Sequence, residues 1–121
     1  MMSDRHLAVR RLVASALLLS ASLPTTSHAL TVAGFKAICE AATVACDAHP
    51  MLNAYVGGSL DMIATLDERT SFLGEVYCRA PQELFDVAAI IRYVEHKAPR
   101  AQANANAMTL VVAYLVEKGG C

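Results

Sequence analysis

The sequence predicts a small all-α domain, a four- to five-helix bundle stapled by disulfides. Apolar residues recur at helical spacing along most of the chain, and the alternation typical of a half-buried strand is absent. The connections between the helical segments are short, as they are in helix bundles. Four cysteines are available to crosslink a domain whose hydrophobic core is small.

The first 29 residues have the three regions of a secretory signal peptide. Three arginines precede an apolar run over residues 12–23, and Ser27-His28-Ala29 fits the small-x-small cleavage pattern. The run is shorter than the roughly 20 residues that a transmembrane helix needs. We therefore expect cleavage after Ala29, a mature domain of residues 30–121 in the periplasm, and no membrane attachment after cleavage.

The formal charge of the mature domain limits the kinds of partner that we expect it to bind. Removing the leader takes away three basic residues and one acidic residue, which changes the formal charge from −1 to −3. Such a domain lacks the basic patch that nucleic-acid binding requires. The acidic excess is small and favours a basic protein partner.

Four helical segments account for most of the mature chain. In chain order, they cover about residues 31–42, 50–66, 81–96 and 101–117. Thr31 is placed to cap the first segment, while Pro50 and Pro81 are suited to the first turns of the second and third. Gly119-Gly120 ends the last one, as expected of a C-terminal cap.

Apolar stripes predict which faces of these helices are buried. On the second helix the residues at helical spacing are Met51, Tyr55, Gly58, Met62 and Leu66. On the last helix they are Ala105, Met108, Val112 and Leu115. Each glycine of the Gly57-Gly58 pair costs a helix interior about 1 kcal/mol relative to alanine. We therefore expect another backbone to approach closely there.

All four cysteines, Cys39, Cys46, Cys78 and Cys121, belong to the mature domain. Cysteines behind an export signal favour disulfides, but four cysteines permit three pairings and the sequence does not choose among them. In an unbroken helix, Cys39 and Cys46 would lie about 10.5 Å apart, whereas a disulfide spans about 4.4–6.8 Å between Cα atoms. If these two pair, the helix must end near Thr43, and Cys78 would then pair with Cys121.

Residues with catalytic or metal-binding chemistry are sparse. The mature domain keeps two histidines, His49 and His96, and lacks a nucleophile elbow or a phosphate-binding loop. His96 follows Glu95, but adjacent residues on a helix do not face each other. Zinc could recruit His49 beside Cys46, although an oxidising compartment favours disulfides over free thiolates. We expect neither an enzyme nor a cofactor.

Several short motifs occur in a characteristic order. They are Tyr55-x-x-Gly58-x-x-Asp61, Tyr77-Cys78-x-x-Pro81, the helical segment Arg92-Tyr93-Val94-Glu95-His96, and Cys121. In this order they resemble the Rap/Tai family of type VI secretion amidase immunity proteins, over most of residues 30–121.

That resemblance implies a periplasmic helical protein, often a homodimer, that binds and inhibits a peptidoglycan amidase effector. Inhibition in that family places a loop of the immunity protein in the active-site cleft. The resemblance also implies a disulfide between Cys78 and Cys121, and a helix-packing role for Tyr55, Gly58 and Asp61.

Two surfaces are candidates for contacting such a partner. Lys97, Pro99 and Arg100 lie in the connection between the last two helices, which is the kind of loop that can enter a cleft. Asp67 and Glu68 open an acidic connection after the second helix, which would steer a basic partner.

Two other functions fit a small exported protein with four cysteines. A periplasmic acid-stress chaperone of the Hde type would partly unfold near about pH 2–3 and expose apolar surface as carboxylates protonate. A small zinc-binding or redox protein would keep free thiols.

Overall fold

A computed structural model describes residues 29–121, which form five α-helices connected by short 3-10 turns and loops. The helices are α1 (Val32–Ala41), α2 (Pro50–Arg69), α3 (Pro81–Leu84), α4 (Val87–Lys97) and α5 (Met108–Lys118). No strand forms within residues 29–121, where Thr31 and Asn106 make an isolated antiparallel bridge. The predicted all-α fold is thus confirmed, while the predicted signal peptide lies outside the described residues except for Ala29.

Helix α4 is the centre of the bundle. It contacts α1, α2 and α5, and also the 3-10 turns Cys46–Ala48 and Ala98–Arg100. The core side chains that these elements contribute are Phe35, Leu52, Val56, Leu60, Ile90, Ile91, Val94, Val111 and Leu115. In the described part of the chain, every helix is too short or too polar to cross a bilayer.

The first helix begins as the sequence predicts, because the Thr31 hydroxyl accepts a hydrogen bond from the Gly34 amide at 3.0 Å. The amides of Val32 and Ala33, which a helix start leaves without partners, donate to the carbonyls of Ala105 and Ala103, both at 2.9 Å. A distant segment therefore completes the N-terminus of α1.

The predicted start of the last helix is wrong, because the segment expected to form its first turns bonds to α1 instead. The helix was expected to begin at Ala101, yet α5 begins at Met108 and residues 101–107 form a loop. Alanine favours helix, but here the alanine carbonyls bond to α1 instead. The Asn106 side chain then accepts from the Met108 amide at 2.9 Å, which favours starting the helix there.

The predicted third helix is also divided in two. Pro81 opens it as expected, but α3 ends at Leu84 and α4 starts at Val87. The Asp86 carboxylate accepts a hydrogen bond from the Ala89 amide at 3.0 Å and so forms a new N-cap within the predicted helix.

Helix α2 starts at Pro50 as predicted. His49 is the N-cap residue, and its Nδ1 accepts from the Met51 amide at 3.2 Å. Asp47, in the turn before it, forms an ion pair with Arg92 at 2.8 Å. That ion pair connects α4 to the turn before α2.

The predicted buried face of α2 is wrong. Leu52, Val56 and Leu60 face the core, whereas Met51 and Met62 are each 60% exposed. The helix therefore carries two apolar faces, and the predicted stripe runs along the outer one. The stripe on the last helix is correct only in part, because Leu115 is buried with Val111 while Val112 is exposed.

The close backbone approach expected at Gly57 and Gly58 occurs at Gly119 instead. A Cβ added to either Gly57 or Gly58 would meet no atom within 4 Å, so nothing in the described chain packs against them. A Cβ on Gly119 would lie 2.8 Å from the Tyr77 Cα atom. The Gly119 carbonyl accepts hydrogen bonds from the amides of Cys78 and Arg79 at 2.9 and 2.8 Å.

Two disulfides hold the bundle, and all four cysteines are used. Cys39 pairs with Cys46, with their Cα atoms 4.9 Å apart, and Cys78 pairs with Cys121 at 5.1 Å. As the first pairing requires, α1 ends at Ala41, just before Thr43. The second disulfide crosslinks the two segments that meet at Gly119. We name this group of residues the clasp; it comprises Tyr77, Cys78, Arg79, Gly119 and Cys121.

We predict that removing each disulfide lowers the free energy of unfolding by a different amount. The Cys78–Cys121 bond closes a separation of 43 residues and the Cys39–Cys46 bond one of 7. From the loop entropy of the unfolded chain, we expect losses of about 4 and about 2 kcal/mol respectively. Urea unfolding of the two double Cys→Ser variants measures both losses. A larger loss from the shorter loop would contradict this order.

Candidate functional site

The connection between α4 and α5 begins with a rigid projecting turn. Helix α4 passes directly into the 3-10 turn Ala98–Arg100, whose first residue is only 5% exposed and whose next two are exposed. The ring of Pro99 fixes one backbone angle of the turn. The Ala101 amide donates to the Ala98 carbonyl at 3.2 Å and closes it. The turn therefore presents Pro99 and Arg100 to solvent from an anchored backbone.

Lys97 is held at the base of this turn by an aromatic cluster. Its ammonium group lies 5.3 Å from the centre of the Tyr93 ring, a cation–π distance. The Tyr114 ring meets the Tyr93 ring edge-on at 5.3 Å between centroids. The Tyr93 hydroxyl donates a 2.8 Å hydrogen bond to Glu117, which joins α4 to α5. This cluster was not predicted from the sequence, although the Tyr93–Lys97 spacing of one helical turn was a signal for it.

The hydrogen bond between Tyr93 and Glu117 contributes to a pKa shift of both groups. Burial and then the Glu117 carboxylate raise the pKa of Tyr93 to about 12. The bond from Tyr93 is in turn the main reason that the pKa of Glu117 lies below its usual value. Tyr93 therefore stays protonated and Glu117 stays charged at neutral pH.

Two shallow grooves, of about 250 and 230 Å³, flank the turn. Both are lined by Lys36 and Glu40 of α1 and by Pro99, and Glu95 lines one of them. Lys36 and Glu40 form an ion pair at 3.6 Å. The surface around the turn thus offers both signs of charge beside an exposed proline.

The second candidate surface is smaller than the sequence indicates. Asp67 and Glu68 lie in the last turn of α2, which extends to Arg69, and not in a loop. Asp67 is half-buried beside Tyr77, whose pKa is raised first by burial and then by the Asp67 carboxylate. The Tyr77 hydroxyl has no hydrogen-bond partner within 3.5 Å among the described residues. Glu68 is exposed and remains available for contact.

The motif residues Tyr55, Gly58 and Asp61 occupy one side of α2, as their spacing predicts, but that side faces outward. Gly58 and Asp61 are exposed, and burial raises the pKa of the half-buried Tyr55. No other helix of the described chain packs against Gly58. Within residues 29–121, Tyr55 thus packs against the core, whereas Gly58 and Asp61 have no helix-packing role.

The structure does not support the zinc alternative at Cys46 and His49. Cys46 is bonded to Cys39, and the Nδ1 atom of His49 caps α2. Within residues 29–121, no three His, Cys, Asp or Glu side chains are grouped so that they could hold a metal ion.

We predict that Tyr93→Phe raises the pKa of Glu117 toward its ordinary value, because the variant lacks the donated hydrogen bond. The lowered pKa of Glu117 stabilises the folded protein at pH values above the ordinary pKa of glutamate, and this stabilisation is lost as acid protonates the carboxylate. The variant should therefore lose less stability than the wild type as the pH falls. NMR titration of the Glu117 side chain measures the shift. Tyr114→Phe is the matched control, because it leaves the Tyr93 hydroxyl in place; equal effects of the two variants would disprove the assignment.

The chain was also compared with known proteins. No family model, curated protein or solved structure matches it.

Proposed function

We propose that this chain is a periplasmic immunity protein that binds and inhibits a peptidoglycan amidase effector of a type VI secretion system. The motif order that resembles the Rap/Tai family supports this proposal, as does the disulfide between Cys78 and Cys121. The single observation that carries it is the anchored turn Ala98–Arg100, which buries Ala98 and exposes Pro99 and Arg100.

A turn of this kind suits an inhibitor that occupies a cleft. Ordering a flexible loop on binding costs free energy, and a loop already held in one conformation avoids most of that cost. Buried Ala98 holds the backbone from below, while Lys97 rests on the Tyr93 ring. Pro99 and Arg100 are then free to contact the partner.

The charges around the turn suggest how it recognises a cleft. Arg100 makes the tip basic and Lys97 adds a positive charge at its base, whereas Glu40 and Glu95 lie beside the turn. A basic tip favours a cleft lined by acidic or carbonyl oxygen atoms, and the acidic side chains around it select partners with a basic rim.

The proposed location follows from the crosslinks and the N-terminal sequence. Disulfides persist in oxidising compartments such as the bacterial periplasm, and two of them hold this bundle. Residues 1–29 have the pattern of a cleavable export signal. Together these features favour a protein that acts outside the cytosol.

We predict that Arg100→Glu weakens binding to the cognate amidase by about 10- to 100-fold, the loss typical of an interface hot spot. Arg69→Glu makes the same exchange at the end of α2 and should leave affinity unchanged. Calorimetric titration against exported cysteine amidases encoded beside this chain measures both variants, and an amidase assay reports inhibition. Failure of the wild-type protein to bind or inhibit any of them would refute the proposal.

The same titration distinguishes the two candidate contact surfaces. Glu68→Lys reverses the exposed charge at the end of α2 and should have little effect if the turn is the contact. A large loss from Glu68→Lys, with none from Arg100→Glu, would move the contact to the acidic surface.

The acid-stress chaperone remains the second candidate, because apolar side chains such as Phe72, which is 71% exposed, already offer surface to a client protein. Such a chaperone should lose tertiary structure near about pH 2–3 and bind unfolded clients there. We expect the disulfide-bonded bundle to keep its near-ultraviolet circular dichroism at pH 3 and to leave client aggregation unchanged. Acid unfolding together with suppressed aggregation would instead favour the chaperone.

A further inference from the structure

The disulfide between Cys39 and Cys46 lies at the edge of the proposed contact face. Cys39 lines the larger of the two grooves that flank the turn Ala98–Arg100, together with Glu40. One wall of both grooves is formed by α1, and Cys39 lies in the last turn of that helix. The disulfide is therefore placed to control the shape of the face.

The two halves of α1 are held in different ways. The first half has the Thr31 cap, two amide hydrogen bonds to a distant loop, and the buried side chains of Val32 and Phe35. In the second half, the residues of the described chain that pack against the core are Ile38 and Cys39, and both are only half-buried. The end of the helix therefore depends on one apolar side chain and on the disulfide.

The connection after α1 adds little to that hold. The Ala42 amide donates to the Cys39 carbonyl at 3.3 Å, and residues 43–45 are exposed and belong to no helix. On the outer side, Lys36 and Glu40 form an ion pair with each other, and exposed pairs of this kind contribute little stability. Without the disulfide, we expect the last turn of α1 to fray, as weakly packed helix ends do.

Cys46, at the other end of the bond, belongs to a firmly held turn. It is 7% exposed, and the turn Cys46–Ala48 contacts both α2 and α4. Asp47 forms its ion pair with Arg92 at 2.8 Å, and the side-chain amide of Asn53 donates to the Asp47 carbonyl at 2.8 Å. The disulfide thus connects a weakly held helix end to a well-anchored turn.

We propose that the Cys39–Cys46 disulfide is a redox switch on the contact face. When the bond is formed, the last turn of α1 is fixed beside the turn Ala98–Arg100. When the bond is absent, this wall of the grooves frays and affinity for the partner falls, while the bundle stays folded. The switch rests on the proposed function in one respect, because that function makes the turn the contact.

The switch closes by thiol–disulfide exchange with a protein dithiol oxidase. The Cys39 thiolate attacks one sulfur of the oxidase disulfide, which gives a mixed disulfide and releases the other oxidase sulfur to take up a proton. The Cys46 thiolate then attacks the Cys39 sulfur and releases the oxidase as a dithiol, which carries away two electrons and two protons. Reduced dithiols of the cytosol favour the reverse reaction. The face is therefore completed only in an oxidising compartment.

Backbone dynamics of the double variant Cys39→Ser/Cys46→Ser test the structural half of the switch without any partner. We expect NMR order parameters of Glu40 and Ala41 to fall from about 0.85, typical of a rigid backbone, to below about 0.6, while Phe35 stays rigid. The clasp variant Cys78→Ser/Cys121→Ser is the matched control. It also lacks one disulfide and should keep the wild-type values at the end of α1.

Calorimetric titration against the cognate amidase tests the functional half. Cys39→Ser/Cys46→Ser should weaken binding about tenfold, because ordering a single freed residue on binding costs roughly that much affinity. The clasp variant should bind nearly as well as the wild type, since the clasp residues line neither groove. Its remaining disulfide is Cys39–Cys46, so dithiothreitol should lower its affinity and reoxidation should restore it.

Three outcomes would overturn the switch. Unchanged order parameters would show that the disulfide does not hold the helix end. A loss of near-ultraviolet circular dichroism in Cys39→Ser/Cys46→Ser would make the bond necessary for the fold and not specific to the face. Frayed residues with unchanged affinity would separate the wall from binding. A wild type that binds no amidase refutes the proposed function instead, and the order parameters still decide whether the disulfide holds the wall.

Discussion

The contact between Gly119 and the segment Tyr77–Arg79 is the constraint on which the bundle depends. It brings the end of α5 back to the chain before α3, across a separation that loop entropy disfavours. Two backbone hydrogen bonds to one carbonyl align the segments, and the Cys78–Cys121 bond makes the alignment permanent. With the clasp closed, α5 can pack on α4, and α4 in turn positions the turn after it.

The starts of α1 and α2 were predictable because local chemistry determines them, whereas the residues alone left the pairing of the four cysteines open. Thr31 caps α1 and Pro50 begins α2, as the sequence predicts. The end of α1 before Thr43 follows from the distance that a Cys39–Cys46 disulfide can span. The start of α5 was not predictable in this way. Alanine favours helix, but the carbonyls of Ala103 and Ala105 are used by α1, a contact that no local pattern reveals.

The faces of α2 were predicted in reverse because both are apolar. Periodicity identifies a stripe, but it does not decide which of two stripes faces the core. The Gly57-Gly58 pair was read as a close approach within the chain, whereas the glycine that needs such an approach is Gly119. At the candidate site the loop was predictable, but the Tyr93, Tyr114 and Glu117 cluster required the tertiary contact between α4 and α5.

The anchoring of the turn Ala98–Arg100 has a consequence for evolutionary change. Buried Ala98 and the ring of Pro99 fix the backbone, so the exposed side chain of Arg100 contributes little to folding. Surface substitutions usually change stability by less than about 0.5 kcal/mol. Substitutions at the tip can therefore change what the turn contacts while the fold stays intact, whereas a larger side chain at Ala98 would disturb the backbone that presents the tip.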